Sequence, residues 1–286
     1  RRSLGCVIFY LGVKNIMNLN SFGIDRPLRG MMLHSGTGEV LWTINQIEEP
    51  SLTVSAETKD AVDAMGTPIM SFDRAKTAEF SAQSSLFDLG LLAAQSGTSI
   101  QESSASAKIT TPCFEEVTMP DSGTITLKHT PKGTGKAGIP FIYVLNGDGT
   151  LGNKFPYAAA ASATAFSFSG TTLTPPTGDA IAAGTTLLVI YEYDADATDG
   201  NQAMAVTNSA SKFPSAGKFV MEVLGCDTCD VSTLYYAYII FPQAKLTSDF
   251  DISFTTDSKH PFTLKAMQDY CDKEKRLFTV VIPEAE

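Results

Sequence analysis

The chain has one tryptophan, three histidines and five cysteines among 286 residues, and charged residues make up only 18%. Each shortage excludes something. Cys6, Cys113, Cys226, Cys229 and Cys271 are odd in number and irregularly spaced, which argues against a disulfide framework and fits a reducing compartment. Cys226 and Cys229 form a Cys-x-x-Cys pair, but zinc needs further ligands, and His34, His129 and His260 lie far along the chain from it. Free thiols on a turn are expected there. No apolar run approaches the roughly 20 residues that cross a bilayer, so no membrane partner is expected. With 43% hydrophobic residues the chain is neither disordered nor a coiled coil. A chain of this length buries about three quarters of its unfolded surface and needs no metal or disulfide to hold a core.

Catalytic patterns are missing as well. Lys132, Gly133, Gly135 and Lys136 suggest a phosphate loop, but that motif needs four residues between its glycines and Ser or Thr after the lysine. Ala137 stands there instead, and Pro140 blocks a following helix. Asp194, Asp196 and Asp199 before Gly200 suggest half an EF-hand, yet the glycine falls one position late and Ala205 occupies the place of the closing glutamate. A solvated acidic turn is the expectation. No serine sits in a G-x-S-x-G elbow, and three scattered histidines assemble no triad. No enzymatic activity and no cofactor are expected.

The net charge of −10 is uneven: residues 1–30 carry +4 and the remainder −14. An acidic body repels nucleic-acid phosphate, which excludes sequence-specific DNA or RNA binding but not a surface that DNA passes without being held. Arg1, Arg2 and the apolar Leu4–Val13 resemble a signal peptide without a small-residue cleavage site. Met17 reads as a start, and residues 1–16 read as a non-native or disordered extension, which leaves 17–286 as one β domain.

What is present is alternation. Apolar residues recur at every second position in Leu187–Tyr193, Phe219–Val223, Tyr236–Ile240, Phe250–Phe254 and Phe278–Ile282, between turn-forming clusters. Ile125–His129 and Phe141–Leu145 are weaker members, and Phe262–Ala266 is read as a strand. This predicts a mainly antiparallel β fold. One helix is predicted, opened by a capping box over Ser85–Asp88 and stopped at Gly97. Residues 96–108 read as an exposed linker, and 96–204 as an elaborated loop or outer subdomain. Residues 56–67 mix charges between two strand-like runs. They read either as a solvated hairpin or as an intermolecular docking loop, with Glu57, Lys59, Asp60 and Asp63 fixing register and Val62 and Met65 as apolar contact points.

The order strand, charged loop, strand with Phe72 and Phe80, then Ser85-Leu-Phe-Asp-Leu-Gly-Leu-Leu-Ala-Ala-Gln95, resembles bacteriophage tail tube (major tail) proteins. Ala210–Pro214, Ile239–Lys245 and a closing hairpin of Phe250–Phe254 with Phe262–Ala266 and Leu277–Ile282 are similar too. The resemblance covers residues 30–95 and 205–286. It implies a β-sandwich or half-barrel with one flanking helix, and hexameric rings joined edge to edge and stacked into a tube for DNA ejection. It further implies partners among other tail proteins, assembly in the host cytoplasm and a final place in the virion tail. Residues 57–65 then become inter-ring contacts. Another virion component (a tail terminator, neck or capsid-decorating protein) and a cell-surface adhesin or carbohydrate-binding domain remain the alternatives.

Overall fold

The computed structural model describes residues 22–178, 180–198, 200–228, 230–270 and 273–283. Met17 and the extension at residues 1–16 lie outside them, as do Cys6, Asp199, Cys229 and Cys271. In chain order the first elements are β1 (Phe22–Leu33), β2 (Val40–Ile44), β3 (Ile47–Val62), β4 (Pro68–Ser84) and the helix α1 (Leu89–Gln95). Short strands follow: β5 (Gln101–Glu102), β6 (Ile109–Thr118), β7 (Ile125–Thr126), β8 (Phe141–Leu145) and β9 (Leu151–Pro156). Next come β10 (Ser167–Ser169), β11 (Thr172–Thr174), β12 (Thr186–Ala195) and β13 (Met204–Ala205). The chain closes with β14 (Ala216–Asp227), β15 (Asp230–Leu246), β16 (His260–Ala266) and β17 (Thr279–Val281). The chain divides into two compact units, one from the segments up to Ser99 and from Val206 onward, the other from Ile100–Ala205.

The first unit is an eight-stranded antiparallel sheet in the order β2-β1-β14-β15-β16-β4-β3, with β17 also paired to β15. β2 and β3 occupy opposite ends of that order, yet only Asn45 and Gln46 separate them in the chain. The sheet must therefore curl until its ends meet. The Trp42 ring of β2 accordingly lies 5.7 Å from Phe219 and 5.9 Å from Phe262. No ladder joins β2 to β3 among the described residues, so the barrel stays open. Phe80, Phe219, Phe241 and Phe262 fill the concave side, where Phe219, Met221 and Val223 alternate inward along β14 as their spacing predicts. Gly30 on β1 is required there, because a Cβ would come within 2.9 Å of the Phe219 ring. Leu91 of α1 closes the same core.

Several expectations are corrected. The helix starts at Leu89 with Asp88 as its N-cap, because β4 stays paired through Ser84 to Ile47 and His260 and no helix can begin before that pairing ends. The Asp88 carboxylate accepts the Leu91 N–H at 3.0 Å, which makes it the cap and not the closing acid of a capping box. Gly97 does end the helix, with φ of 65° and Phe213 O only 2.3 Å from where a Cβ would stand. Phe250–Phe254 forms no strand, and β16 pairs with β15 and β4 instead. In β15 the core face is Ala237, Phe241, Ala244 and Leu246, whereas Tyr236 is exposed, so the visible alternation of Tyr236, Tyr238 and Ile240 marks the opposite face. Of Ile125–His129 only Ile125–Thr126 enters a ladder, although Leu127 is buried.

The second unit holds a sheet in the order β6-β12-β8-β9, a small sheet β10-β11-β7 and the pair β5-β13. Its own core collects Ile142, Phe166, Leu173, Leu187 and Val189. A tight turn over Asn146–Thr150 joins β8 to β9, with the Asn146 N–H donating to Thr150 O.

Candidate functional site

The segments that resemble a phosphate loop and a calcium loop are occupied by structural contacts. Lys132 Nζ stands 2.9 Å from Asp194 Oδ1 and Lys108 Nζ 3.5 Å from Asp196 Oδ2. The hydrogen bond from Lys132 holds the Asp194 carboxyl below its ordinary range, and bonds from Thr198 do the same for Asp196. The Gly135–Ala137 stretch is a 3-10 turn and not a phosphate loop. His34 Nδ1 accepts from the Gly36 and Thr37 N–H groups, His129 stacks on Tyr193 at 3.8 Å, and His260 is buried. Among the described residues no group of His, Cys, Asp or Glu could hold a metal. Cys113 and Cys226 are free thiols.

Glu115 and Glu222 are buried carboxylates that no motif in the sequence announces. Glu115 accepts the Tyr191 hydroxyl at 2.6 Å and the Lys128 N–H at 3.1 Å to each oxygen, while burial and that bond push the tyrosine's pKa upward. Glu222 accepts from Arg29 Nε at 2.6 Å and from the Tyr238 hydroxyl at 3.2 Å. Both satisfy buried charge within the unit that contains them, as folding requires. Alternation alone could have flagged Glu115, which shares the inward parity of Cys113 and Val117.

What remains unsatisfied is a surface. β16 pairs with β4 only from Glu79 to Ser84, so the rest of β4 has β3 as its sole strand neighbour among the described residues. From Val54 to Val62 this two-stranded arm extends about 30 Å at roughly 3.3 Å per residue. Both of its faces are exposed. Of the two readings of 56–67, the structure has the exposed hairpin: residues 57–62 are strand, and only Asp63–Thr67 turn. Cross-strand pairing places Glu57, Lys59 and Ala61 opposite Arg74, Phe72 and Met70 on one face, with Thr58 and Asp60 opposite Asp73 and Ser71 on the other. Asp60 accepts from the Ser71 hydroxyl, and Asp73 from Thr58 Oγ1 at 3.0 Å. Asp63 serves the turn, its Oδ1 accepting from the Met65 and Thr67 N–H groups at 2.8 and 2.9 Å. Val62 and Met65 point to solvent together with Ile69, Met70 and Phe72, which the sequence reading had not singled out as contacts. Water does not favour such a ribbon: a two-stranded hairpin with apolar groups on show is marginal until something covers it.

The sequence matches the model of the YomU/Tube protein family over residues 30–280. No curated protein matches the chain.

Proposed function

The chain belongs to the YomU/Tube protein family, a family of structural phage tail tube proteins, and from that premise we propose that it is the repeating subunit of the tube. Copies join laterally through the open edges of the curled sheet into hexameric rings, which satisfies strand groups that would otherwise template aggregation. Rings stack through the arm, with Glu57, Lys59, Asp60, Val62, Asp63 and Met65 at or near the contact. DNA leaves through the lumen, and the net charge of −10 keeps its phosphates from being held. Other tail proteins cap the stack.

The observation that carries this reading is the arm, two strands exposed on both faces and bearing six large apolar side chains that no other described residue buries. Deleting residues 57–73 and closing the strands with Asn-Gly, which suits a two-residue hairpin, tests it. Circular dichroism should lose only the signal of the deleted strand residues and the melting temperature should hold, because no arm residue reaches the core, and negative-stain electron microscopy should find single rings or monomers. Tubes of normal length would refute the stacking role.

A further inference from the structure

We infer that the arm tip of one subunit seats on an apolar ledge formed by Leu86, Phe87 and Phe254 of a second copy of this chain. This rests on the stacking role proposed above and names the surface that receives the arm.

The tip is almost uncharged. Between Ala61 and Phe72 the one ionisable side chain is Asp63, and its Oδ1 is already taken by two N–H groups of the turn. What it offers is Met65, Ile69 and Val62, exposed by 91%, 67% and 55%. A surface that accepts them must be apolar and must not strand a charge on desolvation.

The ledge has that character. Phe254 is 83% and Leu86 63% exposed, large values for such side chains. The Phe87 ring lies 6.0 Å from Phe254 and stacks on His260 at 5.7 Å, so the ledge is fixed from beneath. Leu86 and Phe87 also line a cleft of about 540 Å³ together with Thr43–Gln46. Asp88 is the sole charged residue lining the cleft, and its Oδ1 is engaged by the Leu91 N–H. Each surface thus holds one aspartate, bonded within its own turn.

Placement fits this pairing. β4 runs from the tip at Pro68 to Ser84, and the pairs from Val62–Pro68 to Ile47–Ser84 mark the two ends of the hairpin. Tip and ledge are therefore separated along the strands by about 50 Å. Val231, Leu234 and Tyr236 are also exposed, but β15 runs parallel to β4 with β16 between them, which puts those residues at the arm's own end. A tip meeting another tip would close as a pair, whereas a tip meeting a ledge at the far end repeats without limit and builds a filament.

The test uses full-length chains carrying Leu86→Asp, Met65→Lys or both, scored by the fraction of protein in tubes under negative stain. Both positions are exposed, so circular dichroism should match the parent. Each single variant should reduce tubes at least tenfold, and the double variant should recover them, because the new lysine meets the new aspartate. Normal tubes from Leu86→Asp, or no recovery in the double variant, would overturn the ledge as receiver while leaving the arm's role intact. Normal tubes from Met65→Lys would instead refute the stacking role itself.

Discussion

The two units of the chain treat their apolar surface differently. Among the described residues, twenty exposed large apolar side chains belong to the unit that holds the curled sheet, against four in Ile100–Ala205. The smaller unit pairs Lys132 with Asp194 and Lys108 with Asp196, bonds buried Glu115 to the Tyr191 hydroxyl, and closes a core around Phe166 and Ile142. The larger unit closes a core around Phe219 and still leaves an arm, a ledge and open strand edges. Contiguous apolar surface of this kind marks an interaction site. The arm and the ledge both belong to the larger unit.

The strongest way to break this comparison is to empty each core in turn. Phe219 is fully buried and its ring lies within 6.0 Å of Trp42, Phe80 and Phe241. Phe219→Ala should cost about 3–5 kcal/mol, and tubes should disappear with the fold that presents the arm. Phe166→Ala should cost a similar amount, but in the smaller unit, where Phe166 is equally buried. Calorimetry should then show only one transition displaced, and tubes should persist. Loss of tubes with Phe166→Ala would mean that the units are energetically one.

A smaller effect is expected at the helix beneath the ledge. Asp88→Ala removes the N-cap bond to Leu91 and should cost about 1 kcal/mol, read as a lowered melting temperature of the larger unit alone. Asp88→Asn, which keeps an acceptor, should retain most of that stability. Equal losses in both variants would show that the carboxylate's charge matters more than its bond.

How far the sequence could lead depends on what each residue type reveals. Phe219–Val223 and Leu187–Tyr193 were legible because large apolar residues occupy one parity only. β15 was assigned the wrong face because its core side is partly alanine, at Ala237 and Ala244, while the tyrosines that catch the eye lie opposite. Phe250–Phe254 alternates without a partner strand, and alternation cannot reveal a missing partner. The candidate contact residues were legible as a mixed-charge break between strands. Their strand pairing was not, because charged residues have weak strand preference and the arm has no core to impose a pattern. Leu86 and Phe87 were read as helix, since nothing in the sequence says that pairing to His260 holds the backbone in the sheet through Ser84.

The ledge also carries a conditional effect of pH. Gln95 Nε2 donates to Pro261 O at 2.9 Å, which leaves Gln95 Oε1 to accept from His260 Nε2 at 2.7 Å. His260 Nδ1 then faces the Asp88 N–H at 3.4 Å as an acceptor, so the network fits a neutral ring. Burial accordingly holds the pKa below its ordinary value of 6.5, with the nearby Asp88 carboxylate opposing. The unfolded chain takes up a proton near pH 6.5, where the folded chain resists it. Stability should therefore be level above that pH and fall as pH drops below it, until the folded ring protonates as well. His260→Gln should flatten the profile between pH 7.5 and 5.5, and an unchanged slope would place the titration elsewhere.

The smallest expected effect is none, and it bears most directly on the division of labour. β5 and β13 pair at the two ends of the smaller unit, Gln101 opposite Ala205 and Glu102 opposite Met204. The chain therefore leaves Ser99 and returns at Val206 over a gap of about 5 Å, the spacing of paired strands. Replacing Ile100–Ala205 with two glycines closes that gap without strain. Nothing in the arm, the ledge or the eight-stranded sheet is supplied by the deleted segment. The shortened chain should fold with the same melting temperature as the larger unit in the parent, and it should form tubes in the same yield. Loss of tubes from a folded, shortened chain would show that the smaller unit contributes contacts to the ring or the stack. Unfolding would show that the larger unit leans on it for stability. Retention of both places stacking entirely in the curled sheet and its arm.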